Sequence, residues 1–77
     1  MKSHVTYNGA KLHIRTMTPF RHMTSAFQGR CSGDQYSVIS NGRVILTMND
    51  KQILFRDFKY NNLIESRHQH VIRRALS

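Results

Sequence analysis

Apolar and polar residues alternate on both sides of two Asn-Gly dipeptides, Asn8-Gly9 and Asn41-Gly42. Alternation is the period of a strand with one buried face, and Asn-Gly supplies the two positive-φ residues of a type I′ hairpin turn. A two-residue turn also fixes register. In the first predicted hairpin Tyr7 faces Ala10, Thr6 faces Lys11, Val5 faces Leu12 and His4 faces His13. Val5, Tyr7, Ala10, Leu12 and Ile14 then share one face, and His4, Thr6, Lys11, His13 and Arg15 the other. In the second, Ser40 faces Arg43, Ile39 faces Val44, Val38 faces Ile45 and Ser37 faces Leu46. Ile39, Val44, Leu46 and Met48 read as core; Tyr36, Val38, Arg43, Ile45 and Thr47 make a mixed opposite face.

A helix-start signal follows each hairpin. Thr18 precedes Pro19, a capping residue before one suited to the first helical position. Phe20, Met23 and Phe27 then recur at i, i+3 and i+7. Asn49-Asp50 plays the same part before Leu54 and Phe58, with Asp50 suited to the helix dipole. Residues 53–58 also alternate as a fifth strand would, but the start signal favours a helix. Residues 29–35 read as a linker, with Gly29 ending the first helix. Asn61 and Asn62 break the second. Leu63, Ile64, His68, Val71, Ile72 and Ala75 place a broad apolar side on a C-terminal helix over 62–76. Thr16-Met17-Thr18-Pro19 aligns with Thr47-Met48-Asn49-Asp50, which reads as a ββα duplication over 4–30 and 36–61. The expected architecture is one α+β domain over 1–77: an antiparallel four-stranded sheet with two or three helices, ββα-ββα plus the terminal helix.

At 77 residues and 39% apolar content the core must be thin, so a bound partner or a homodimer would add to its stability. Charge changes the picture more. Twelve Lys and Arg oppose four Asp and Glu, a net +8 before any histidine protonates. The first carboxylate is Asp34; residues 1–33 hold Lys2, Lys11, Arg15, Arg21 and Arg30 with no acid. A field of one sign repels itself, and a polyanion relieves that repulsion while releasing counterions. Nucleic acid, or a nucleoprotein complex, is the partner this implies. Cys31 is the single cysteine, no signal peptide is evident and no apolar run could span a bilayer, so a cytoplasmic protein with no membrane partner is expected.

On the predicted first hairpin Lys11, His13 and Arg15 stand about 6.8 Å apart along one strand face, close to the spacing of successive phosphates. Tyr36 and Arg43 join that face if the hairpins form one sheet, and an aromatic ring there would stack bases. Arg21 and Arg30 flank the first predicted helix. Arg67, His70 and Arg74 lie at i, i+3 and i+7 of the last, with Arg73 alongside. Cations near a helix C-terminus are favoured by the dipole whatever their function.

The five histidines have no metal-binding spacing, and His68 and His70 point to different sides of a helix, so neither metal nor cofactor is expected. Gly-rich phosphate loops, nucleophile elbows and helix-turn-helix patterns are lacking. The leading expectation is a non-catalytic nucleic-acid-binding protein, with RNA ahead of DNA. In size and charge the chain also resembles phage host-takeover and anti-defence proteins, which implies an inhibitor or adaptor docking on a nucleic-acid-handling complex. A small ribonuclease toxin working through one histidine is the third expectation.

Overall fold

A computed structural model describes residues 4–50, 52–57, 59 and 63–76. Its first departure from the sequence reading is at Asn8-Gly9. After strand β1 (His4–Val5), Thr6 takes an extended backbone and its hydroxyl accepts from the Gly9 amide at 3.3 Å, capping helix α1 (Tyr7–Arg15). Tyr7, Ala10 and Ile14 lie at i, i+3 and i+7, a helical stripe hidden inside the alternation; Ala10 and Ile14 are buried while Leu12 is 58% exposed. Gly9 serves close packing here. A β carbon at Gly9 would sit 2.9 Å from Val5 Cβ. The helix ends in a Schellman motif: Met17 adopts φ 56°, its amide donates to the Ile14 carbonyl, and the Thr18 amide donates to that of His13. Thr18-Pro19 therefore follows a helix where the sequence predicts that it begins one.

The sheet has six strands in chain order, β1, β2 (Phe20–His22), β3 (Phe27–Ser32), β4 (Gln35–Ser40), β5 (Arg43–Met48) and β6 (Ile53–Arg56). The β1–β2 pair, joined through α1, is parallel, and the other neighbours are antiparallel. This mixed sheet replaces the expected four-stranded antiparallel one and leaves no ββα-ββα repeat; the α+β class stands. Phe20 and Phe27 are buried on adjacent strands, ring centroids 5.2 Å apart and edge-on, while Met23 is 58% exposed. Gly29 caps no helix. It lies within β3, where any side chain would collide with the Phe20 ring and the Tyr36 hydroxyl.

Asn41-Gly42 behaves as predicted, with φ of 53° and 79° and the pairs Ser40–Arg43 and Ile39–Val44. A bulge then shifts the register so that Val38 faces Leu46, and consecutive Ile45 and Leu46 are both buried. Asn49-Asp50 closes a turn: the Asn49 amide donates to the Gln52 carbonyl and the Gln52 amide to Asn49 Oδ1. Strand β6 follows in place of the expected helix. Lys2, Phe58, Asn61 and Asn62 lie outside the described residues.

The predicted C-terminal helix is present as α2 (Leu63–Leu76). It packs with α1 on one side of the sheet, burying His68, Val71, Ile72 and Ala75, whereas Leu63 and Ile64 are exposed. Among the described residues no helix is long and apolar enough to cross a membrane.

Candidate nucleic-acid interface

Helices α1 and α2 run in the same direction. Tyr7 lies beneath the Arg67 guanidinium, whose Cζ is 5.9 Å from the ring centroid; Lys11 shares a cleft with Val71; Arg15 Nε donates to the Ala75 carbonyl at 3.3 Å. These contacts recur about one turn apart on both helices, as parallel packing requires. The cleft between them, about 260 Å³, is lined by Lys11, Arg67, His70 and Arg74 with Tyr7, Asn8 and Val71. His70 also borders a recess with Ser66, Gln69 and Arg73.

Among the described residues no side-chain carboxylate lines the cleft, and the fold places the four acidic side chains elsewhere. Asp57 and Glu65 both reach Arg43, at 2.7 and 3.6 Å, and Asn41 Nδ2 donates to Glu65 Oε2 at 2.9 Å. Asp34 and Asp50 lie in the turns after β3 and β5.

The other sequence-predicted residues are dispersed. Lys11 and Arg15 remain together, now at i and i+4 of a helix, while His13 turns aside to bond Thr18 Oγ1 at 2.7 Å and stack on Phe20. Arg43 is occupied by the two carboxylates and the Lys59 carbonyl. Arg21 and Arg30 are exposed on β2 and β3, away from the helices. Tyr36 cannot stack a base: it is fully buried, its hydroxyl donates to the Thr18 carbonyl at 2.9 Å, and burial holds its pKa well above the ordinary value. Arg73 and Arg74 occupy the last turn of α2, where the dipole also favours them.

Sequence reasoning missed Tyr7 and Asn8, although reading Tyr7, Ala10 and Ile14 as a helical stripe would have placed them. It also missed a polar cluster behind the cleft. Ser25 Oγ lies 3.0 Å from His22 Nδ1, 3.1 Å from His68 Nε2 and 3.3 Å from the Tyr7 hydroxyl. His68 Nδ1 is 2.6 Å from Ser40 Oγ, and its ring stacks on Phe27 with centroids 4.3 Å apart. His22 Nδ1 accepts the Thr24 and Ser25 amides, and its ring stacks on Tyr7. No sequence spacing announces this cluster, because its members come from separate segments.

Serine, imidazole and serine in series have the connectivity of a nucleophile, its base and an orienting group. The electrostatics argue against that use. Burial, and to a lesser degree His22, lower the His68 pKa to about 4, with Glu65 opposing weakly. Burial lowers that of His22 as well. A base that weak is poorly matched to neutral pH, and His68 is fully buried. Every buried side-chain polar atom among the described residues has a partner, so the cluster is a closed hydrogen-bonded lock that seats α2 on the sheet. No three His, Cys, Asp or Glu side chains converge as metal ligands among the described residues.

No protein-family model, curated protein or solved structure matches the chain.

Proposed function

We propose that this protein binds nucleic acid without catalysis, gripping the phosphate backbone at the cleft between α1 and α2. The observation that carries the reading is the convergence of Lys11 with Arg67, His70 and Arg74 around one cleft. The helix dipoles account in part for Arg15, Arg73 and Arg74, but Lys11, Arg67 and His70 lie outside the last turns and have no such reason to be there. Arg67 and Arg74 are seven residues apart, roughly 10 Å along the helix, and Lys11 stands across the groove on an axis roughly 8–10 Å away. Arg67 and Arg74 on one wall and Lys11 on the other, at that separation, suit the phosphates of a nucleic-acid chain lying along the groove.

RNA is the ligand to test first, with DNA beside it, since the cleft offers phosphate contacts to both. Fluorescence anisotropy with labelled RNA and DNA, single- and double-stranded, should give affinities that fall steeply between ~20 and ~200 mM salt. Charge reversal at Lys11, Arg67 and Arg74 together should weaken binding by about a hundredfold or more and flatten the salt slope by about three. Absence of binding to every probe at low salt would sink the proposal. In that event, a protein complex captured from nuclease-treated extract would point to the inhibitor or adaptor reading.

A further inference from the structure

Both helices pack on one side of the sheet, and no described element covers the other. The strand register arranges that open face into two rows. One crosses β1 to β5 as His4, Arg21, Gln28, Ile39 and Val44. The second crosses β3 to β6 as Arg30, Ser37, Thr47 and Phe55. Neighbours before and after these positions, such as Phe20, His22, Gly29, Tyr36, Val38 and Leu46, are buried on the helix side. The Ser37 and Thr47 hydroxyl oxygens lie 3.3 Å apart, as same-face cross-strand partners do.

The face has a polarity. Its cations, Arg21 and Arg30, lie on β2 and β3, while its apolar surface lies on β4 to β6, where Val44 is 40% and Phe55 47% exposed. Strands are about 4.8 Å apart, so Arg30 and Phe55 are separated by about 14 Å, with two hydroxyls between them. Neither row contains a carboxylate. An occupant must therefore be anionic on one side, apolar and flat on the other, with hydrogen-bonding groups between. A single-stranded nucleic acid has that chemistry, because its unpaired bases expose their π faces beside a charged backbone. A duplex hides those faces. A second copy of this chain would bring two +8 molecules together, cation against cation.

We infer that the open sheet face binds single-stranded nucleic acid, with Arg21 and Arg30 on phosphates and a base stacked on Phe55. The inference rests on the nucleic-acid reading above and names the form of ligand that a second surface takes. The test measures affinity of the full chain for a labelled oligouridine, an oligothymidine and a duplex of equal length. Phe55→Ala should weaken single-strand binding about tenfold and leave duplex binding unchanged. Phe55→Leu keeps apolar bulk without the π face and should show the same selective loss even if the alanine variant folds poorly. Arg21→Glu with Arg30→Glu should lower the single-strand salt slope by about two. Single-strand affinity untouched by all these variants, or lost equally from duplex and single strand, overturns the inference alone. Failure of the unmodified protein to bind any probe overturns it together with the reading on which it rests.

Discussion

Two histidines on α2, two residues apart, have opposite fates. His68 points into the molecule, fully buried against Phe27 and held by the hydroxyls of Ser25 and Ser40. His70 points out and borders the cationic cleft with Lys11, Arg67 and Arg74. The inner face of the helix buries Glu65, His68 and Gln69 and satisfies each of them: Glu65 through Asn41 and Arg43, Gln69 through the Lys59 carbonyl. The outer face gathers Arg67, His70 and Arg74 beside Lys11 of α1. Residue type alone does not separate a lock from a binding surface. The helical period does, once the side that faces the sheet is known.

The comparison is broken most directly by replacing each histidine in turn. His68→Ala should cost about 3–5 kcal/mol of unfolding free energy, because it opens a space beneath Phe27 and takes a partner from the buried Ser40 hydroxyl and the half-buried Ser25 hydroxyl. His70→Ala should stay within about 0.5 kcal/mol of the parent. Urea denaturation at constant m-value measures both, and equal losses at the two positions would erase the distinction.

Acid should act on one face and not the other. The folded-state pKa of His68, about 4, lies below the ordinary 6.5, so the unfolded chain takes up this proton first. The stability concerned is intact above pH 6.5 and drains away as the pH falls toward 4, by about 3 kcal/mol in total. His22, shifted the same way, adds to the trend. Comparing the protein with His68→Gln isolates the effect, since carboxylate protonation is common to both. A difference in stability that does not change between pH 7 and 4 would remove His68 as the cause.

A smaller loss of stability sharpens the boundary between the faces. Ser40→Ala should destabilise by about 1–2 kcal/mol by leaving His68 Nδ1 without its partner. Nucleic-acid affinity measured well below the melting temperature should be unchanged. A selective loss of affinity in a fully folded Ser40→Ala protein would mean that the lock and the cleft act as one site.

The two Asn-Gly dipeptides mark how far local signals reach. Asn41-Gly42 is a hairpin turn with the predicted first pairs, because both residues take positive φ and the flanking segments pair with each other. At Asn8-Gly9 the same dipeptide lies in the first turn of a helix, where Gly9 is needed for its lack of a side chain against Val5. Residues 4–15 carry a period of two and a helical stripe at once, and burial of Ala10 and Ile14 against α2 and the sheet decides between them. Asn49-Asp50 is ambiguous in the same way, as a helix cap or as a turn. There, pairing of Ile53–Arg56 with β5 outweighs the capping signal. Of the candidate site, the cations themselves were legible, but their strand stripe was not real and Tyr36 proved to be core.

By itself, the sequence determined the α+β class, the hairpin at Asn41-Gly42, the C-terminal helix and a basic chain whose first carboxylate is Asp34. Those follow from short-range chemistry: turn φ angles, helical periodicity and composition. Only the tertiary structure decided the strand order, the helical fate of residues 7–15 and which cations meet. These outcomes depend on apolar burial and strand pairing between segments far apart in the chain. Lys11 and Arg67 share a cleft because Ala10, Ile14, Val71 and Ala75 bury their side chains in one core, a fact that no local window contains.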